Sequence, residues 1–113
     1  MSSHSAHPRL LLLIRVAEDM FYMPRGSMVA QSRFAPTISF RQLAIHVALR
    51  KGFTRTAVAQ AFSRDRATIL AARRKAQETG ARSLWWVDNA DRLEQRWDEA
   101  VASRKAAEER VYG

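Results

Sequence analysis

Residues 40–75 read FRQLAIHVALRKGFTRTAVAQAFSRDRATILAARRK, and this stretch decides the fold. An apolar helical segment is followed by Gly52 and Thr54, a short apolar helical segment, a tight turn, and a basic helical segment. Thr54 and Asp65 each stand directly before a helical segment, where a side-chain oxygen can accept from first-turn N–H groups. Gly52 stands directly after one, where glycine closes a helix. The spacing predicts helices over about 39–51, 55–62 and 66–79. Their inward faces would be Leu43, Ala44, Val47 and Ala48, then Val58, Ala59 and Phe62, then Ile69, Ala72 and Ala76. Two helices joined by a tight turn, the second basic and capped, make a helix-turn-helix.

Upstream, Pro8 suits a helix first turn, and Leu10, Leu13, Ile14, Ala17 and Phe21 recur at helical spacing, predicting a helix over about 9–22. Pro24 and Gly26 would end it. Residues 23–37 read as a connector, with Met28 and Val29 anchoring a short turn and Thr37 or Ser39 capping the next helix. Downstream, Gly80 ends the basic helix and residues 84–87 fold back. Asp88 or Asn89 then caps a last helix over about 89–110, with Leu93, Trp97 and Val101 on one stripe. No strand pattern is present, so the expected class is all-α. The expected divisions are a flexible tail (1–8), a helix-turn-helix domain (9–80), and a C-terminal amphipathic helix (81–113) packing on the domain or on a partner.

A chain of 113 residues suits one domain. There is no cysteine, which removes disulfides, thiolate metal sites and cysteine nucleophiles. The apolar run Leu10–Ile14 is too short for a membrane span, so a cytoplasmic protein without membrane contact is expected. Charge is strongly segregated. Residues 41–75 hold nine Lys/Arg against Asp65, a local +8 that equals the net charge of the whole chain. The flanks nearly balance, at +2 over 1–40 and −2 over 76–113. Such concentration points to a polyanion partner, double-stranded DNA above all.

In a helix-turn-helix the second helix enters the major groove with its N-terminal side chains at base edges. Arg64, Arg66, Ala67 and Thr68 occupy that region, while Arg73, Arg74 and Lys75 lie two turns further on, placed for phosphate. Thr54, Arg55 and Asp65 bring two helix N-termini, with their exposed N–H groups, near the same surface. No other chemistry competes. Glycine occurs only at 26, 52, 80 and 113, so no phosphate-cradling glycine-rich loop is possible. His46 has no second ligand one turn on, and His4 and His7 lie in the expected tail. Glu18 and Asp19 are adjacent and diverge on a helix. No enzyme activity, metal or cofactor is expected. Trp85, Trp86 and Trp97 lie outside the basic segment, which favours core or partner surface over base stacking.

Three segments also carry a family resemblance: VAEDMF (16–21), SRFAPTISFRQLAIHVA (32–48) and AFSRDRATILAARRK (61–75). Together they resemble the C-terminal double-stranded-DNA-binding domain of the bacterial replication initiator DnaA, over residues from about Leu10 to Thr79. The last is similar to the family signature in which Arg-Asp-His-Thr-Thr-Val opens the recognition helix. By that resemblance Arg64 and Asp65 match its first two positions, Thr68 the phosphate-binding second Thr, and Ile69 the core Val. Arg41 matches an arginine that reaches the minor groove, and Thr54 the Ser/Thr opening the preceding helix. The signature His is Arg66 here and its first Thr is Ala67, both at base-reading positions.

Stand-alone proteins similar to this domain act as transcription activators in prophage-like and gene-transfer-agent clusters. The resemblance therefore implies a regulator of that kind, the alternative being a replication-control or adaptor protein on initiator-type sites. Residues 88–110 hold seven acids against five basic residues. Such a helix suits RNA polymerase, a sigma-like factor or a second copy of the chain better than DNA.

Overall fold

Among the described residues five helices follow one another: α1 (Pro8–Met20), α2 (Ala35–Arg50), α3 (Arg55–Phe62), α4 (Arg66–Gly80) and α5 (Leu84–Tyr112). The computed structural model describes residues 6–31, 34–80 and 82–112, and no strand occurs among them. The protein is all-α, as its periodicity predicts. Helix α2 is the hub. It packs against all four other helices, whereas α1 and α4 do not meet. Its buried residues (Arg41, Leu43, Ala44, Ile45, Val47 and Ala48) therefore spread around the helix instead of forming one stripe.

The peripheral helices each contribute one face: Leu10, Leu13, Ile14 and Ala17 from α1, Val58 and Phe62 from α3, Ile69, Ala72 and Ala76 from α4. Helix α5 closes the core with Trp86, Ala90, Leu93 and Trp97. Met28, fully buried, pins the α1–α2 connector to the same core. Each large apolar side chain so enclosed contributes about 1.5–3 kcal/mol relative to exposure.

Three helices end in one motif. After α1, α2 and α3 a left-handed residue follows: Tyr22 (φ 57°), Gly52 (φ 99°) and Ser63 (φ 54°). In each case the next N–H reaches back to a carbonyl five residues earlier: Met23 to Glu18 (2.8 Å), Phe53 to Ala48 (3.2 Å), Arg64 to Ala59 (3.0 Å). These are Schellman closures, which satisfy carbonyls left over at a helix end. Only Gly52 announces itself in the sequence. Tyr22 and Ser63 adopt a conformation that costs an ordinary residue about 1–2 kcal/mol.

Three helix starts differ from expectation. The α2 helix begins four residues earlier than residue 39, because Pro36 sits in its first turn and favours helical φ there; Thr37 and Ser39 lie inside it and are not caps. The α5 helix begins at Leu84, so residues 84–87 are its first turn and not a fold-back. Ser83, not Asp88 or Asn89, accepts the first-turn N–H, from Trp86 at 3.2 Å. His7 is no tail residue: its Nδ1 accepts from the Arg9 N–H at 3.1 Å and caps α1, and its ring meets the Phe53 edge at 4.9 Å. The rest of the expected tail, residues 1–5 with His4, lies outside the described residues, as do Ser32 and Arg33 of the connector.

Two of the tryptophans are core residues with opposite hydrogen-bond status. Trp97 Nε1 donates to the Arg9 carbonyl at 2.8 Å. Trp86 Nε1 is buried without an acceptor among the described residues. Phenylalanine at position 86 removes an orphan donor, whereas at position 97 it removes a made hydrogen bond. In urea denaturation Trp97→Phe is therefore expected to lose about 1–2 kcal/mol more stability than Trp86→Phe. Equal losses would show that both indoles act only through packing. The third, Trp85, is 48% exposed, beside the stacked rings of Phe21 and Phe40, which lie 4.1 Å apart.

No described helix is long and apolar enough to cross a membrane.

Candidate nucleic-acid interface

Helices α3 and α4 form the expected helix-turn-helix, each start fixed by its own cap. Thr54 Oγ1 accepts from the Ala57 N–H at 3.1 Å, and Asp65 Oδ1 from the Thr68 N–H at 2.8 Å. The Thr68 hydroxyl and backbone N–H together hold the Asp65 carboxyl below its ordinary pKa. One first-turn donor of each helix is thus taken by its cap, leaving fewer N–H groups for phosphate than the sequence suggested.

With Ile69, Ala72 and Ala76 inward, a turn of about 100° per residue sets the outer ridge of α4 at Ala67, Ala71 and Arg74. Arg66, Leu70 and Arg73 line one flank, and Thr68 and Lys75 the other. All eight are exposed. Two alanines on the ridge leave the helix backbone open to close approach by a groove. Leu70, 39% exposed, and Ala71 belong to this surface although neither stood out in the sequence. Their signal is geometric, since they lie between charged residues on the face opposite the core.

The nine basic residues of 41–75 do not share one fate. Arg50 and Lys51 turn to α5. Arg50 Nη2 lies 2.7 Å from Glu94 and 3.3 Å from Asp91, and Lys51 Nζ lies 2.8 Å from Asp98. The Asp98 carboxylate bonded to Lys51 raises the lysine pKa. Arg55, Arg66, Arg73, Arg74 and Lys75 are exposed, and none has an ion pair or hydrogen-bond partner for its side chain among the described residues. These five define the basic face.

The remaining two arginines, Arg41 and Arg64, hold the connector. Arg41, which by resemblance would reach a minor groove, is 6% exposed. Its Nε donates to the Met28 carbonyl at 2.7 Å and its Nη2 to Ala30 at 3.0 Å. Burial, then the nearby Arg64 charge, lowers its pKa. Arg64, placed at base edges by the sequence reading, instead donates to the carbonyls of Val29 (3.2 Å) and Ala30 (2.6 Å), and to Phe62 and Ser63 in its own turn. Glu18 completes the clasp. Buried in α1, its carboxylate accepts from the Gly26 and Met28 N–H groups at 2.9 and 3.1 Å. Arg41 and Arg64 are therefore placed as structural residues that use their charge on backbone oxygen. A connector with few partners of its own satisfies its polar groups in this way.

A hollow of about 590 Å³ joins the two helices of the motif on the Arg73 flank, lined by His46, Phe53, Thr54, Arg55, Arg73 and Gln77 among others. His46, half-buried against the Trp86 ring (6.1 Å), has its pKa lowered by burial first and by Arg50 second. The unfolded chain thus binds a proton that the folded chain resists, and stability falls as pH drops below about 6.5. A melting temperature that declines between about pH 7 and 5, with the decline reduced in His46→Gln, is the expected result. An unchanged decline in the variant would assign it elsewhere. Among the described residues no cluster of three or more His, Asp or Glu could hold a metal.

The surface is thus a capped, small-residue helix carrying Arg66, Arg73, Arg74 and Lys75, with Arg55 of α3 lining the same hollow as Arg73. No protein-family model matches the chain, and no characterised protein is similar to it at a significant level.

Proposed function

We propose that this chain is a sequence-specific double-stranded-DNA-binding transcription regulator, with α4 as the helix that enters the major groove. The observation that carries the reading is the set Arg55, Arg66, Arg73, Arg74 and Lys75, exposed and unpaired around the Ala67–Ala71 ridge. A helix that enters a groove by its N-terminus brings Arg66 and the slim Ala67–Ala71 ridge to base edges and leaves Arg73, Arg74 and Lys75, two turns on, at the phosphates. The resemblance of residues 61–75 to the recognition segment of DnaA supports the same docking, and the stand-alone relatives of that domain support an activator of prophage-like or gene-transfer-agent genes. Double-stranded DNA is then the first partner, with RNA polymerase or a sigma-like factor as the second.

Selection from a random duplex pool tests the reading: a single enriched motif is expected, and a pool that stays random after several rounds overturns it. Arg66, at the start of α4, is the proposed base reader. Its fork of donors matches O6 and N7 of a guanine, worth about 1–3 kcal/mol of discrimination. Arg66→Ala is expected to reduce the ratio of specific to nonspecific affinity by that amount, while Arg74→Ala weakens all duplexes alike. If Arg66→Ala leaves the ratio intact, α4 docks in another register.

A further inference from the structure

Helix α1, which does not meet α4, carries a groove that the DNA reading does not use. Two hollows, of about 470 and 430 Å³, lie along α1 and meet at Pro8, Leu12 and Arg104. Their floor is apolar: Leu11, Leu12, Ile14 and Val29 on one side of Arg104, Val101 on the other. Leu11 is 47% exposed there. The rim is basic, with Arg9, Arg15, Arg25, Arg104 and Lys105. None of these five has an ion pair among the described residues, whose salt bridges involve only Arg50 and Lys51. Glu108 is one lining acid. The other, Glu18, is buried and already occupied by two backbone N–H groups.

We infer that this groove docks an acidic amphipathic helix of a partner protein. An apolar floor with an unpaired basic rim is complementary to a helix that has leucine-type residues on one stripe and carboxylates beside it. The 13 residues of α1 give a track of about 20 Å, long enough for between three and four turns of such a helix. Duplex DNA fits less well, since phosphates would use the rim and leave the apolar floor wet. A second copy of this chain fits less well too. The acids of α5 lie on a helix whose apolar stripe residues Leu93 and Trp97 are buried in its own core. Because α1 and α4 do not meet, a partner in the groove leaves α4 free.

The test uses the full chain and two designed helical peptides with the same leucine stripe, one flanked by glutamates and one by lysines. Fluorescence anisotropy should give saturable binding of the glutamate peptide in the micromolar range and none of the lysine peptide. Amide NMR shifts should fall on Leu11, Leu12, Arg15 and Val29, and not on α4. Arg15→Glu with Arg104→Glu, both at exposed positions, should weaken the glutamate peptide by roughly tenfold or more and gain binding of the lysine peptide. Leu11→Ser should weaken binding with the rim charge intact. The shifts on the unsubstituted chain decide the matter even if a variant folds poorly. No saturable binding, or shifts confined to α4, overturns the inference. So does short duplex DNA moving the same groove amides, which makes the groove a second nucleic-acid surface. Sedimentation showing a dimer that the glutamate peptide cannot disrupt overturns it as well, in favour of a self-interface.

Discussion

Arg41→Ala is expected to destabilise the fold by about 3 kcal/mol and to lower the melting temperature by roughly 10 °C. The guanidinium is buried and gives hydrogen bonds to two carbonyls, Met28 and Ala30. Charged donors contribute about 1.5–3 kcal/mol per bond, and a buried acceptor left without a donor costs about 1–3 kcal/mol. Removing the charge returns part of the desolvation cost, which keeps the net below the sum. Arg64 can still reach Ala30, so Met28 is the carbonyl that is stranded. Arg41→Lys, with one compact ammonium in place of a fork, should fall between the two. Measured well below its melting temperature, the alanine variant should keep its DNA affinity within a factor of about 3, since no phosphate contact is lost. The opposite pattern, full stability with lost affinity, would return Arg41 to the DNA.

The second large effect concerns salt. With Arg66 at a base and the other free cations at phosphates, about four neutralised phosphates predict a slope near −4 for log K against log salt. Between 50 and 200 mM salt the affinity then falls by roughly 200-fold. Replacing Arg73, Arg74 and Lys75 together by alanine should flatten the slope by nearly 3 units, at about 0.9 per phosphate. These side chains are exposed and unpaired, so the melting temperature should hardly move. A slope unchanged in the triple variant, or a flat salt dependence in the parent, would mean that this face does not meet the duplex. Arg50 and Lys51 serve as the contrast. Engaged with Glu94 and Asp98 on α5, they should contribute little to the slope although they belong to the same run of sequence.

That contrast shows what could be read from the sequence. Local determinants were legible: the Thr54 and Asp65 caps, Gly52, and the inward faces of α3 and α4 all form as periodicity and capping require. Each depends only on residues within one turn. The charge pattern was legible only as a sum. Nothing local separates Arg50 from Arg55, yet one is held by acids more than forty residues away and the other is exposed. Arg41 and Arg64 looked like ligands because the carbonyls that occupy them belong to a connector whose path is set by tertiary packing. The start of α5 is hidden in the sequence for a related reason. Its apolar run Leu84–Val87 lacks helical alternation, and all of it but Trp86 stays exposed, Leu84 at 82%, Trp85 at 48% and Val87 at 42%. Only Ser83 marked the true start, and it was overshadowed by Asp88 and Asn89.

The clasp around the connector has a consequence for how this chain can change over generations. Glu18, Arg41 and Arg64 read the loop through its N–H and C=O groups, which every residue except proline supplies alike. Gly26, with φ at 91°, the buried Met28, and Met23 and Val29, which pack against the core, are chosen for what they are. Mutations at exposed Ala30 or Gln31 are therefore close to neutral, and the loop can drift in composition while its path stays fixed. The three charged residues that hold it have no such freedom. Selection on this loop would be recorded in three helix and turn positions outside it.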